Sequence, residues 1–373
     1  MRRGWKRTWA AVCIAMGATF THAFAGTGGD TLDPLEQGPF TERNQFPFNL
    51  LFLAFPARGG SILPKGASEI LLAEAYANTF SGSDVLVQFN TDQRVRLTPA
   101  ALASARNLEP GETLFFLDEE QIRTSLMCRW GAFKSFEADL EIPFLSYLGG
   151  RLDSGIEWYH RSGSFGNAGR EHFVQDAVQL GLILGDKTYF RDRSPSRFRL
   201  SDILLTGRLS LADSPRGSAA LSVGLKFPTG NADTLAGSGS FDEGVEVEGT
   251  LRWGRQRMHL AGGWVHVGRW DLFPEFNPTD LANFSLAYEI AHNRRVSWIV
   301  QLQTQSNVFR NHEESDGYLA DFSTEMLAGA RWKGSSGRWA LQTAVIENIF
   351  DQNNGVDIGV LTSFSVLSRP VAP

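Results

Sequence analysis

The sequence predicts an all-β chain: a transmembrane, antiparallel, up-and-down β-barrel of about 12 strands, with short periplasmic turns and long extracellular loops. Three patterns predict it. Segments of roughly 9–13 residues alternate apolar and polar side chains, the connections between them alternate short and long, and tryptophans gather beside the short ones. No apolar run reaches the ~18–20 residues of a membrane-crossing helix, so strands would do the crossing.

The chain opens with Arg2, Arg3, Lys6 and Arg7, then "AAVCIAMGATF", then the small-x-small site Ala23-Phe24-Ala25. This is the form of a secretory signal, assigned to residues 1–25. Its removal leaves 35 − 4 = 31 basic against 41 acidic residues, so the mature charge is 31 − 41 = −10. That balance argues against nucleic acid as a partner. Cys13 leaves with the signal, which rules out an intrachain disulfide for Cys128. Cys128 is expected to pack as a small apolar residue on its strand.

Residues 26–66 read as extended, Pro- and Gly-punctuated chain. The stretch "GPFTERNQFPFNLLFLAFP" is too apolar for a free tail, and a periplasmic lid or a plug in the barrel is expected. The barrel itself is assigned to residues 67–369.

Strands are expected at 68–79, 119–130, 135–143, 200–211, 218–228, 242–253, 257–267, 281–291, 296–305, 321–332, 338–347 and 356–367. Ordinary strands average about 5–6 residues, whereas a tilted bilayer crossing takes about 9–11. The apolar rows include Ala219/Leu221/Val223/Leu225/Phe227 and Ala282/Phe284/Leu286/Tyr288/Ile290, and neither carries a charge. Phe136, Leu140, Leu221, Leu225, Phe284 and Leu286 are therefore expected to face lipid. The opposite rows place Glu246, Glu248, Arg252, Glu325 and Arg331 in the lumen.

Short turns fall at 131–134, 212–217, 254–256, 292–295 and 333–337. Longer connections fall at 80–118, 144–199, 229–241, 268–280, 306–320 and 348–355. Within the long ones, 173–184 and 84–97 are read as hairpin arms, because a thirteenth crossing would break the alternation. Trp130, Trp253, Trp298, Trp332 and Trp339 sit beside short turns, where an indole ring is stable at headgroup level.

The stretch "FEADLEIPF" (136–144) sets Glu137, Asp139 and Glu141 against an oily row. In the lumen, these acids could form a cation-selective constriction. Alternatively they fill the interior by pairing with arginines of the preceding strand. If Trp130 lies opposite Phe136, Arg129 lies opposite Glu137, with Arg123 further along.

His160-Arg161-Ser162 has the His-x-Ser spacing of outer-membrane barrel lipases, in which His activates Ser. The two are weak catalytic candidates here, because they follow "DSGIEWY", an amphipathic helix in an outer loop. The plainer reading is a surface helix at the membrane interface. "KFPTGNADTLAGSGS" is not a phosphate loop, since its Lys precedes the glycines and no helix follows. It reads as a flexible outer loop. His259, His266, His292 and His312 are spread over different segments and imply no metal site.

The blocks "GPFTERNQFP" and "KFPTG…GSGS", with "ILPKG", "ANTF", "FEADLEIPFLSYLGGRLDSGIEWY" and "SDILLTGRLSL" between and around them, resemble the Gram-negative outer-membrane family catalogued as domain of unknown function 3187. The resemblance covers nearly all of the mature chain. It implies an outer-membrane barrel and brings no activity or site residues. One departure is the ending "SFSVLSRPVAP", where such barrels usually close on an aromatic residue. Asn353-x-Gly355-x-x-Ile358-x-Val360 matches the assembly signal in part, upstream of the end.

The function expected from this architecture is passage or binding of small molecules, apolar ones included. A lipid-acting hydrolase and a structural or surface-interaction barrel are the alternatives. The partners expected are outer-membrane lipid, the barrel-assembly machinery during insertion, and a small-molecule solute; no cofactor is expected.

Overall fold

The computed structural model describes residues 38–87, 93–163, 169–195, 197–310, 319–348 and 354–368. The signal segment, residues 26–37, His312 and the chain after Ser368 lie outside the described residues.

The strands, in chain order, begin with β1 (Ser68–Gly82), β2 (Leu114–Phe133), β3 (Phe136–Leu148), β4 (Gln179–Leu184) and β5 (Lys187–Arg191). There follow β6 (Arg199–Leu200), β7 (Ile203–Ser214), β8 (Gly217–Phe227), β9 (Asp242–Trp253) and β10 (Gln256–His266). The last are β11 (Leu281–Ala291), β12 (Val296–Gln305), β13 (Ser323–Lys333), β14 (Trp339–Glu347) and β15 (Ile358–Ser368). All except β4, β5 and β6 form one antiparallel wall of 12 strands. It closes where β15 runs back against β1, from Ser68↔Ser368 to Asn78↔Ile358. Closure satisfies the backbone groups that an open edge would leave bare in hydrocarbon. Among the described residues, no helix is long and apolar enough to cross a membrane.

Three departures from the expected boundaries, and one agreement, follow from the pairing. Strand β2 starts at Leu114 rather than 119, because Leu114–Asp118 pair with β4 above the wall. β4 and β5 form the hairpin arm read at 173–184. Among its described residues, the 84–97 run forms no such arm. Asp84–Val87 are a short helix, and Val95 makes a single parallel bridge to Phe173. Leu86, Val87 and Leu97 pack there on Phe80, Phe116 and Phe173. Finally, β7 starts at Ile203 instead of 200. The β3 ladder breaks at Pro143, which has no N–H to donate, and resumes through β6 at Phe144↔Leu200.

The 229–241 loop is not the flexible connection its glycines suggest. Lys226 Nζ reaches Asp202 and Ser238 Oγ, both at 2.6 Å, and the Ser240 carbonyl at 2.9 Å. Leu235 and Ala236 are buried beneath it.

Outside, the wall is apolar. Leu140 and Leu225 are exposed, and Phe136, Leu221, Phe284 and Leu286 are half-buried on the same outward rows. Cys128 is exposed among them. Trp130, Trp253, Trp298 and Trp339 are exposed and Trp332 half-buried at the short-turn end. There Gln256 Oε1 accepts hydrogen bonds from Trp253 Nε1 at 2.7 Å and from Tyr288 Oη at 2.6 Å. Leu140→Arg is expected to cost about 2–4 kcal/mol of insertion free energy, the penalty for a cation on the lipid face near mid-depth. Asp139→Asn, one residue along and pointing inward, should lose less, since the amide oxygen still accepts from Arg58. Folding yield into liposomes measures both, and equal yields would contradict the assignment of faces.

Candidate functional site

The lumen is occupied by the chain's own N-terminal segment. Residues from Gly38 enter at the short-turn end, rise to the long-loop end, turn, and descend to start β1 at Ser68. At the entrance the Gly38 carbonyl accepts from Arg331 Nη1 at 3.3 Å. Higher up, Glu42 Oε1 accepts from Arg123 of β2 at 3.1 Å. Asn44 Nδ2 donates to Ser323 Oγ at 2.8 Å and the Gln45 amide to Glu325 Oε1 at 2.8 Å, both on β13.

The top of the segment is a 3-10 turn at Asn49–Leu51. Such a turn leaves carbonyls unpaired, and Arg43 Nη2 takes those of Asn49 (2.7 Å) and Phe52. Around it Phe46, Phe48, Leu50, Leu51, Phe52, Leu53 and Phe55 are all buried. Phe48 sits edge-on to Phe46 (5.7 Å), Phe115 (6.5 Å), Trp270 (6.2 Å) and Phe309 (5.7 Å). The last three come from β2 and from two long loops, so loops and segment share one apolar core. Rings at these separations gain about 0.5–1.5 kcal/mol per pair beyond burial.

On the way down, the backbone is held by the opposite wall. The Leu53 amide donates to Asp242 Oδ2 (2.8 Å), the Gly60 amide to Thr250 Oγ1 (3.0 Å) and the Leu63 amide to Glu137 Oε2 (2.6 Å). Arg208 Nη2 and Nη1 donate to the carbonyls of Gly59 (2.6 Å) and Ser61 (3.3 Å). Gly60 is required here, since a Cβ would lie 2.3 Å from the Ser218 carbonyl oxygen. Gly224 of β8 likewise makes room for Phe55, whose ring would be 2.7 Å from a Cβ.

All ten residues read as lumen-lining lie on inward rows: nine are buried and Arg252 is half-buried. Their charges are largely spent on one another and on the segment. Glu137 binds Arg129 (2.9 and 3.0 Å) and Arg208 (3.0 Å). Asp139 binds Arg58 of the descending limb, and Glu141 binds Arg123. Arg129 also binds Glu69, and Arg208 also binds Glu248. Across the lumen, Glu289 binds Arg331 and lies 3.3 Å from His259 Nε2. Glu246 accepts from Asn283, Glu325 from Gln303 (2.9 Å), and Arg252 donates to Ser61 Oγ (2.7 Å). With an arginine on each of Glu137, Asp139 and Glu141, the three form no free acidic constriction.

The expected register needs one correction. Arg129 pairs across from Asp139, and Trp130 from Ala138, because the strands run on to a two-residue turn at Lys134 and Ser135 that sets Phe133 opposite Phe136, and the bulge between Gly131 and Phe133 takes back one position. Arg129 still reaches Glu137 diagonally.

His160 and Ser162 lie on the helix Asp153–Gly163. Side chains two apart on a helix do not face each other, so the fold does not assemble them as a pair. The nearby Glu157 is committed to Arg94 at 2.8 and 2.9 Å. Burial would raise its pKa, but hydrogen bonds from Arg94 and Gln175 outweigh that and hold it below the ordinary carboxylate value. Among the described residues no three metal-ligating side chains gather.

The family described as "Protein of unknown function (DUF3187)" matches residues 30–366. No curated protein matches the chain. Solved structures similar to it include an outer membrane channel from Pseudomonas putida F1, at 12% identity and TM-score 0.49, covering 83% of this chain and 98% of that one. A Pseudomonas aeruginosa FadL homologue has 9% identity and TM-score 0.35, covering 89% and 99%. The CymD monoaromatic hydrocarbon channel has 9% identity and TM-score 0.37, covering 82% and 89%.

Proposed function

Since the chain belongs to the DUF3187 family, whose name assigns no activity, we propose that it is an outer-membrane channel for small molecules, shut by its own N-terminal segment. The short turns face the periplasm in this reading. The observation that carries it is the course of residues 38–66. Wall side chains alone can fill an eight-strand barrel, and twelve strands leave a wider interior for something else to fill. Here a separate length of backbone does so, contributing no strand.

The geometry also gives a route for opening. Both limbs pass through the short-turn mouth, so the segment can withdraw as a loop without threading past the wall. Its hold is mostly polar along the limbs and apolar at the top, so release at the top is the harder step.

A disulfide tests this. Ser61 Oγ of the descending limb lies 3.0 Å from Ser218 Oγ of β8. In a Cys128→Ser background, Ser61→Cys with Ser218→Cys should tie limb to wall. In planar bilayers the reduced protein should open under voltage and the oxidised one should stay shut. Equal currents in the two forms would mean that the segment does not need to move.

A further inference from the structure

The acids on the β2, β3, β7 and β9 side of the lumen are matched by Arg58, Arg123, Arg129 and Arg208. At the short-turn mouth, between β10 and β13, the balance is different. Arg255, Arg257, Arg294, Arg295, Arg331 and Lys333 line one solvent-open cavity of about 340 Å³. Among the described residues, Glu289 binds Arg331, lies 3.9 Å from Arg257 and is shared with His259.

Cations gathered this closely repel one another unless anions join them. Two of the side chains show spare capacity. Arg257 Nε and Nη1 are shielded from solvent and hydrogen-bond to no protein atom. Arg255 spends one donor on the His292 carbonyl, at 3.4 Å, which links the two turns. A guanidinium has five donors.

The plain alternative is a basic rim touching lipid headgroups. The strand periodicity speaks against it. Arg257 shares its row with buried His259 and Ala261, and Arg331 and Lys333 share theirs with buried Leu327 and Glu325. The tryptophans facing the membrane occupy the alternate rows: Trp332 lies between Arg331 and Lys333 in sequence, pointing the other way. Arg257, Arg331 and Lys333 therefore face the lumen, and Arg255, Arg294 and Arg295 add exposed cations from the turns beside them.

We infer that this mouth is an oxyanion-binding vestibule, and that the channel takes small solutes bearing phosphate or carboxylate groups. The second half rests on the channel reading given above; the first does not. Rings of Arg and Lys select anions in other pores, and forked guanidinium donors match phosphate and carboxylate oxygens.

Pyrophosphate is the probe, titrated calorimetrically at low salt into the full-length protein in neutral detergent. It should bind, and Arg294→Gln with Arg295→Gln, both on an exposed turn, should weaken binding about tenfold or more. Arg257→Gln should do the same from inside the mouth. No binding to the parent, or binding unchanged in both variants, overturns the vestibule. Phosphatidylglycerol micelles saturating these arginines where pyrophosphate does not would make the site a lipid contact and also overturn it. For the solute class, the reversal potential of the opened channel in a KCl gradient should favour chloride, and less so in the Arg294/Arg295 variant. Cation preference in the opened channel overturns the solute class. Pyrophosphate binding without current in any form would instead leave the vestibule standing and defeat the channel.

Discussion

Arg208→Ala is expected to destabilise the barrel by about 3–5 kcal/mol, the cost of breaking a buried ion pair from one side. The Arg208 side chain is 1% exposed and holds four groups: Glu137, Glu248 and the carbonyls of Gly59 and Ser61. After truncation Glu137 keeps Arg129, but Glu248 keeps only the Ser222 hydroxyl, at 2.8 Å. An uncompensated carboxylate inside the wall accounts for most of the cost. Two partner variants separate that from lost packing. Arg208→Met with Glu248→Leu should recover much of the stability, since apolar replacement of a whole buried pair is often neutral. Arg208→Lys should recover little, because one ammonium cannot span two carboxylates and two carbonyls. Urea midpoints in liposomes measure the series. A loss under about 1 kcal/mol in Arg208→Ala would show that the pair is solvated and does not hold the limb.

The wall was legible in the sequence because its rule is local. Every other residue from Phe136 to Ile142 must suit lipid, and the acids between them must not, so a period of two reveals each face. Loop asymmetry gave the topology for similar reasons. Features set by distant partners were not legible. The start of β2 depends on β4, 69 residues later in the chain by the pairing Leu114↔Ile183. The two-residue turn at Lys134 and Ser135, less one position for the bulge at Gly131/Phe133, moved Arg129 by two partners with no change in composition. The Gly-rich 229–241 loop looked free because its anchor, Lys226, finds Asp202 only through the fold.

One element was missed despite a local signal. The helix Pro99–Leu108 opens with Thr98 accepting from the Ala101 amide at 3.1 Å and with Pro at its first turn, both ordinary start signals. The lumen segment was legible as apolar chain needing cover. Its return to the same mouth was not, because contacts such as Gln45 to Glu325 join residues 280 apart. The basic vestibule escaped notice because its cations come from two turns and two strand ends. The hint lay in "HNRR" (292–295) and "RWK" (331–333), where the cations flank a membrane-facing tryptophan or crowd a tight turn.

The central claim is that residues 38–66 shut an otherwise passable lumen, and removing part of them is expected to have a large effect. Seven apolar side chains between Phe46 and Phe55 fill the top, each contributing roughly 1.5–3 kcal/mol if fully buried. The twelve wall strands pair with one another and not with the segment, so the wall should survive its loss. A barrel of twelve strands is wider than the eight-strand case that wall side chains alone can fill. Single-channel recording of a variant lacking residues 38–56, checked first for insertion by heat-modifiability on gels, is the most direct measurement. The account predicts sustained conductance in the deletion variant where the full chain is closed or opens only briefly. An inserted, heat-modifiable deletion variant with unchanged conductance would contradict it.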